Sequence, residues 1–125
     1  MRWVDRLIHC DDTTATVTAC FGEDAFCVRD GRVLETALVE CMAQAVAAAA
    51  GHRARLRGAD ASPGSAGGGM LAAVSDVRIV GRVEWGQTLH IKVRELKRLG
   101  PMLLVAGDIT CDGEPIASGE LTLYV

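Results

Sequence analysis

The sequence predicts an α+β fold in which an antiparallel sheet of about six strands wraps around one long, alanine-rich helix. The segment 37–55, ALVECMAQAVAAAAGHRAR, combines strong helix formers with small apolar side chains on most sides and contains no proline. Alternating apolar and polar residues, typical of strands, occur both before and after this segment. Since the strands flank one helix, we predict a single domain spanning residues 1–125.

The composition excludes several classes of protein. Half of the 125 residues are hydrophobic and the net charge is −3, so there is no basic excess that would indicate nucleic-acid binding. Charged residues interrupt the N-terminal segment, which therefore does not resemble a signal peptide. No apolar run reaches the ~18 residues of a membrane helix. We expect a cytoplasmic protein with no membrane partner.

The spacing of the five cysteines indicates neither a disulfide framework nor a metal site. Their odd number, without a secretion signal, argues against disulfides, and no CxxC spacing or histidine pair indicates a metal site. We interpret them as reduced thiols packed mostly in the core. The alternative to a core role is that Cys41, next to Glu40, acts as a nucleophile, although no histidine lies nearby in sequence to activate it.

Two strands and a loop precede the helix. Residues 2–9 and 13–20 show the period of two that strands require, most clearly in TTATVTACF. Residues 21–33 show no period and are predicted as a loop, with a turn at Asp30-Gly31. The helix is expected to begin near Leu34–Thr36 and to end near Arg57, with Gly51 as a weak point.

Four strands are predicted after a flexible linker at 58–69, which is rich in glycine, serine and alanine. Tight turns at Gly100-Pro101 and Asp112-Gly113 indicate antiparallel pairing. One such unit would leave an edge strand and part of the helix uncovered, so we predict a homodimer with a joined sheet. The four predicted strands are 70–80, 87–98, 102–111 and 115–125.

The helix carries a family resemblance. The stretch VECMAQAVAAAAGHRAR resembles the central-helix motif of hotdog 3-hydroxyacyl-acyl-carrier-protein dehydratases, in which a glutamate is followed by a small or apolar pair and then Ala-Gln. Residues 40–44 match this pattern one for one, and WVDRL at 3–7 is similar to the family's first strand. More narrowly, the chain resembles a divergent branch found in bacterial gene clusters for aryl polyenes.

The resemblance implies a hotdog fold and a 3-hydroxyacyl thioester as substrate. The thioester would be carried on the phosphopantetheine arm of an acyl carrier protein or of coenzyme A. No cofactor beyond that arm, which arrives with the substrate, and no metal are implied. The oligomer implied is a homodimer or a higher assembly of dimers, or a heteromer with an active dehydratase.

The chain departs from the family at the catalytic histidine. The family places this residue in a His-Phe-Pro-Gly stretch fourteen residues before the helix glutamate, which corresponds here to Phe26 in FCVR. His9, His52 and His90 lie elsewhere and cannot be carried over as the missing base.

Glu40 is the predicted general acid, because the resemblance gives this helix glutamate an acid–base role. We expect an apolar setting to raise its pKa, although a glutamate that merely bridges to backbone or to a partner's arginine remains the structural alternative. Gln44, one turn further on, would hold Glu40 by a hydrogen bond. The other predicted site residues are Asp30 as a second catalytic group, the amides near Thr36 and Ala37 at the substrate carbonyl, and Phe26 in substrate binding.

Two further functions stay open at this point. The chain could be a catalytically silent thioester-binding subunit that partners an active dehydratase, or a thioesterase of the same fold, although the usual His-Gly-Gly or Asp loop of those enzymes is not found here. Basic residues could face an acidic carrier protein, or could simply be solvated. These residues are Arg53, Arg55, Arg57, Lys97 and Arg98.

Overall fold

The computed structural model describes residues 4–56 and 70–124. Within this part of the chain, one helix lies between groups of strands, as predicted. The elements in chain order are β1 (Arg6–Cys10), β2 (Thr14–Cys20), β3 (Val28–Arg29), β4 (Arg32–Val33), α1 (Glu35–Leu56), β5 (Met70–Ile79), β6 (Thr88–Leu99), β7 (Met102–Cys111) and β8 (Glu114–Tyr124).

Six of these strands form one antiparallel sheet in the order β1-β2-β6-β7-β8-β5. The helix packs against this sheet, which confirms the predicted hotdog architecture. Strands β6, β7 and β8 are joined by the tight turns at Gly100 and at Asp112-Gly113, and each pairs with the next over most of its length. Strands β1 and β5 lie at the two edges of the sheet.

The prediction that residues 21–33 form only a loop was wrong. Strands β3 and β4 make a small hairpin whose Asp30-Gly31 turn has positive φ angles of 52° and 78°. A two-residue turn of this kind requires positive φ at both central positions, which Asp-Gly tolerates. Strands of two residues are too short to show a period, so only the turn could be predicted.

One face of α1 forms the core with the concave face of the sheet. Met42 lies close to β7, since a Cβ atom added to Gly107 would lie 2.7 Å from the Met42 sulfur. The absence of a side chain at Gly107 therefore allows the helix to approach the sheet. The buried side chains on this helix face are Ala37, Leu38, Cys41, Met42, Ala45, Val46 and Ala49.

Within residues 4–56 and 70–124, the opposite face of α1 is only partly covered. Glu40 is exposed, and Ala43 and Ala47 on the same face are only half-buried. The described residues therefore do not give Glu40 the apolar surroundings that we expected, because the sheet covers only one side of the helix. Gly51 does not interrupt α1, which continues to Leu56.

Several expectations concern the remaining residues. The linker at 58–69 and Arg57 lie outside the described residues. Among those described, no helix combines the length and the apolar character needed to cross a bilayer. Cys27, Cys41 and Cys111 are buried, as expected for core thiols, whereas Cys10 is half-buried and Cys20 is exposed.

Candidate functional site

Glu40 and Gln44 form a hydrogen-bonded pair on the uncovered face of α1. The Gln44 Nε2 atom donates to Glu40 Oε1 over 3.4 Å, and Gln44 Oε1 accepts from the backbone N–H of Val4 at 3.2 Å. Because the oxygen of the amide faces Val4, its NH₂ group must face Glu40. The segment leading into β1 therefore orients the amide that holds the carboxylate.

A carboxyl group held in this way can exchange a proton with a substrate atom that comes within hydrogen-bond distance. In the described part of the chain, no arginine, lysine or histidine forms an ion pair with Glu40. Nor does its carboxylate accept a backbone N–H there. Within the described chain, this carboxylate therefore accepts one hydrogen bond, from Gln44.

A groove of about 520 Å³ lies at the N-terminal end of α1. It is bounded by the β3–β4 hairpin, the first turn of the helix and residues 81–83, which follow β5. The polar and charged side chains that line it are Arg29, Asp30, Arg32, Glu35, Thr36 and Arg82.

The predicted site residues fall into separate groups. Asp30 and Thr36 line the groove, whereas Glu40 and Gln44 do not. Ala37 is buried, and its N–H donates to the carbonyl oxygen of Leu34 at 3.0 Å, so this amide already has an acceptor. The roles proposed for these residues from the sequence therefore stay predictions.

Comparisons with known proteins agree on the family and the fold. A family model described as ApeP-like, for the ApeP dehydratase, matches residues 1–125. The chain belongs to this family. No curated protein matches the chain in sequence.

Solved structures of similar shape come from several organisms. The dehydratase heterocomplex ApeI:P from Xenorhabdus doucetiae superposes with a TM-score of 0.85 at 24% identity, covering 98% of this chain and 82% of that one. An uncharacterised protein, PH1136 from Pyrococcus horikoshii, gives 0.73 at 19% identity, with 98% and 83% covered. A hypothetical thioesterase with coenzyme A from Streptococcus pneumoniae gives 0.72 at 16%, with 96% and 84% covered. At these identities, the likeness shows the shared fold.

The three histidines of this ApeP-like chain lie in β1, in β6 and near the C-terminal end of α1. His9 Nε2 lies 3.2 Å from the Asp11 carboxylate at the β1–β2 turn. His90 is exposed and lies between Thr18 and Thr110 in the register of the sheet. His52 is half-buried in the last turns of α1. None of the three forms a hydrogen bond with Glu40.

Phe26 is the residue that the sequence analysis predicts at the position of the catalytic histidine of the dehydratases. Its side chain is 68% exposed, and its carbonyl oxygen accepts a hydrogen bond from Arg29 Nη1 at 3.1 Å. An exposed phenylalanine cannot take or give a proton, so this position supplies no base in the chain.

Cys41 is unsuited to nucleophilic chemistry. The thiol is fully buried, and burial is the main reason why its pKa is raised to about 12, with the nearby Cys27 adding to the effect. Because the thiolate is the reactive form, this alternative from the sequence is not supported.

Two arginines of the basic cluster predicted near the helix end, Arg53 and Arg98, contact other groups of the protein. Arg53 donates from Nε to the carbonyl oxygen of Asp11 at 2.7 Å, and from Nη2 to that of Thr14 at 3.3 Å. Arg98 Nε lies 3.4 Å from Glu95 Oε1 on β6. Arg53 therefore ties α1 to the β1–β2 turn.

Sequence reasoning missed the three arginines of the groove. Arg29 and Arg32 flank the Asp30-Gly31 turn, and Arg82 lies some fifty residues further on. The first two could have been noticed as a basic pair around a predicted turn. Arg82 could not, because only a long-range backbone hydrogen bond, from the N–H of Val33 to the carbonyl oxygen of Val83, places residues 81–83 beside the hairpin.

Proposed function

We propose that the chain takes part in the dehydration of 3-hydroxyacyl thioesters carried on an acyl carrier protein or coenzyme A, in fatty-acid or aryl-polyene-type lipid biosynthesis. The observation that carries this proposal is the oriented Glu40–Gln44 pair in a chain matched over its whole length by a dehydratase family. The activity would belong to one hotdog domain formed by residues 1–125.

In this proposal, Glu40 is the general acid. Dehydration breaks the C–H bond next to the thioester carbonyl and the C–O bond at the following carbon, and water leaves. Protonated Glu40 would give its proton to the departing hydroxyl oxygen, and general acids of this kind contribute rate factors of roughly 10² to 10⁴. Gln44 would keep the carboxyl group in one orientation through its amide N–H.

The proton next to the carbonyl needs a base. Asp30 is the candidate within the chain, and it lies in the groove at the helix N-terminus together with Thr36, whose backbone amide would face the thioester carbonyl. Phe26 would contact the acyl part of the substrate from the adjoining loop.

A second subunit would complete the surroundings of Glu40. The uncovered helix face and the edge strand β5, in which Val74 and Val77 are 38% and 40% exposed, leave apolar surface that a partner of the same fold would cover. Val80, just after this strand, is 68% exposed. We propose a homodimer as the basic assembly. A native mass measurement of the purified chain tests it, and a monomer at micromolar concentration would contradict it.

A specific observation favours a second candidate, in which the chain is a silent subunit. Phe26 stands at the position predicted for the family's histidine, and the ApeI:P structure is described as a dehydratase heterocomplex. In this alternative, the chain binds the thioester or the carrier protein, and an active dehydratase paired with it performs the proton transfers.

Hydration of a crotonyl thioester of a carrier protein tests both candidates. Loss of the enoyl absorbance is followed for wild type, for Glu40→Gln and for Glu114→Gln, which changes an exposed glutamate at the start of β8. Turnover that disappears only in Glu40→Gln supports the dehydratase. Turnover equal in all three proteins contradicts the role of Glu40. Binding without turnover in wild type favours the silent subunit.

A further inference from the structure

The β6–β7 hairpin projects beyond the core of the protein. Every residue from 96 to 102 is exposed, whereas Leu103, which follows, is buried. Gly100, whose φ angle is 58°, forms the turn together with Pro101. The stretch LKRLGPM at 96–102 is mostly apolar, contains two cations and has no acidic residue. An exposed segment of this composition favours a partner surface that is both apolar and negatively charged.

Apolar side chains form a row across three strands at this end of the sheet. Leu99 pairs with Met102 in the register, and Met102 pairs with Tyr124. Side chains that lie directly opposite one another share a face of the sheet, so these three are neighbours. They are 58%, 37% and 47% exposed. Leu96, at the irregularity in β6, is a further apolar side chain that is 41% exposed.

Positive charge borders this apolar row. Lys97 lies two residues before Leu99, and within residues 4–56 and 70–124 its ammonium group forms no ion pair. Arg98 lies 3.4 Å from the Glu95 carboxylate, which offsets part of its charge. Glu120, an acidic residue of β8, lies two cross-strand rows further into the sheet. The projecting end of the β6–β7 hairpin therefore carries a net positive charge.

The C-terminal end of α1 lies at the same end of the molecule. Arg53, one turn before the helix ends, and Leu103, next to Met102, line the same small cavity. Beyond Arg53, Arg55 is exposed and Leu56 is 73% exposed in the described chain. The helix end thus adds a cation and an apolar side chain to those of the β6–β7 hairpin.

This end of the molecule is remote from the Glu40–Gln44 pair. Glu40 lies in the second turn of α1, and the helix rises about 24 Å between residues 40 and 56. A carrier protein docked on the β6–β7 hairpin would therefore bring its arm to the wrong end of the helix. The sheet order also separates β7 from the edge strand β5 by β8, so a partner that extends the sheet at β5 does not pair with this hairpin.

We propose that the β6–β7 hairpin binds the surface of a membrane that contains anionic lipid. Leu99 and Met102 enter the boundary between headgroups and acyl chains, and Tyr124 lies at the level of the headgroups. Lys97 and Arg98 keep their charged ends in water, where they attract the lipid phosphates. A projecting hairpin needs no complementary cavity in a fluid surface, whereas a folded protein partner would have to provide one.

This contact differs from the membrane partners that the sequence argued against. That expectation concerned a secretion signal and a spanning segment, and a hairpin bound to the surface requires neither. The inference is also independent of the dehydratase reaction, because its readout is binding to lipid and not turnover.

Co-sedimentation with vesicles tests the charged part of the proposal. The full chain is mixed with vesicles of phosphatidylcholine, and with vesicles of phosphatidylcholine and phosphatidylglycerol in equal parts. We expect binding to the anionic vesicles that weakens at high salt, because salt screens the cations. Lys97→Ala should weaken this binding roughly fivefold, the factor of one cation near an anionic surface. Lys92→Ala, which removes an exposed cation further along β6, should bind like wild type.

A second pair of variants tests the apolar part. Leu99→Ser should weaken binding to the anionic vesicles roughly tenfold, since its side chain would no longer leave water for the lipid. Ile8→Ser is the matched control, because Ile8 is 49% exposed but lies on β1 at the edge of the sheet. Urea unfolding checks that both variants are folded, which we expect because both positions are exposed.

The remaining outcomes contradict the proposal. Wild type that does not bind anionic vesicles at low salt, or that binds neutral vesicles equally well, overturns it. Weakening by only one of Lys97→Ala and Leu99→Ser also overturns it, because the contact requires both charge and apolar burial. If wild type binds an acidic carrier protein but no vesicles, and Lys97→Ala loses that binding, the hairpin forms a protein contact and the membrane assignment is wrong.

Discussion

The Gln44 amide joins Glu40 to Val4, in the segment that leads into the edge strand β1. It donates to the Glu40 carboxylate over 3.4 Å and accepts from the backbone N–H of Val4 at 3.2 Å. A change at Gln44 should therefore affect both catalysis and stability. Gln44→Ala should lower the free energy of unfolding by about 1 kcal/mol through the lost bond to Val4.

The same variant should lower the hydration rate of a crotonyl thioester roughly tenfold, and less than Glu40→Gln does, because the carboxyl group remains but is no longer held. Its pH–rate profile should move as well, which a purely structural role would not cause. Urea unfolding and steady-state kinetics measure these effects. Lys92→Ala, on the exposed side of β6, is the control. A Gln44→Ala enzyme with the rate and pH profile of wild type would refute the positioning role.

The close approach of Met42 to Gly107 predicts a steric penalty. A Cβ atom at Gly107 would lie 2.7 Å from the Met42 Sδ atom, so Gly107→Ala should destabilise the fold by about 1–3 kcal/mol. Gly22→Ala is the matched control, since no atom lies within 4 Å of the added Cβ. Urea unfolding of both variants should separate them clearly.

Double-variant analysis identifies the cause of that penalty. Met42→Ala alone should cost about 2–5 kcal/mol because it leaves a cavity. Combined with Gly107→Ala, the total should fall below the sum of the two single effects, since the shortened side chain makes room for the new methyl group. Strict additivity would show that the two residues do not compete for the same space.

Arg53 and Arg55 should differ in their effect on stability. Arg53 bonds to the carbonyl oxygens of Asp11 and Thr14 and so joins α1 to the β1–β2 turn, whereas Arg55 is exposed. Arg53→Ala should cost about 1–2 kcal/mol, and Arg55→Ala should stay within about 0.5 kcal/mol of wild type. Thermal and urea unfolding measure both. Equal effects would mean that the Arg53 bonds contribute nothing to stability.

Asp11 should make stability depend on pH in acid. The hydroxyl of Thr14, the backbone N–H groups of Thr13 and Thr14, and His9 all favour its ionised form, so its pKa lies well below the ordinary 3.8. Because the pKa is lower in the folded than in the unfolded state, the stabilisation is complete above about pH 3.8 and is lost as the pH falls from there toward the lowered value.

Asp11→Asn should therefore be less stable than wild type near neutral pH, and the difference should shrink below about pH 3.8. Urea unfolding across a pH series checks this. Asp12→Asn is the control, because the exposed Asp12 side chain makes no hydrogen bond in the described chain. A difference between Asp11→Asn and wild type that stays constant down to pH 2 would contradict the assignment.

The cysteines should react in the order of their exposure. At pH 8, an alkylating reagent should modify the exposed Cys20 in the folded protein, whereas Cys41, whose pKa is raised to about 12, should react only after unfolding. Mass spectrometry of digested samples follows each site. Modification of Cys41 at the rate of Cys20 under native conditions would show that the helix opens readily from the sheet.

The sequence determined most of the fold, since local patterns carry that information. Alanine-rich composition without proline specifies α1, alternation specifies the strands, and Asp112-Gly113 specifies a hairpin, because each depends on neighbouring residues alone. The Glu40–Gln44 contact was predictable for the same reason, as side chains four apart meet on a helix.

Only the tertiary structure decided what surrounds these residues. Val4 reaches Gln44 across forty positions of sequence, and Arg82 lies near Arg29 and Arg32 because the backbone N–H of Val33 donates to the carbonyl oxygen of Val83 at 2.8 Å. The exposure of Glu40 likewise depends on which side of α1 the sheet covers. Burial and long-range contacts arise from packing, and a local pattern of residue types does not specify which distant surface will pack against it.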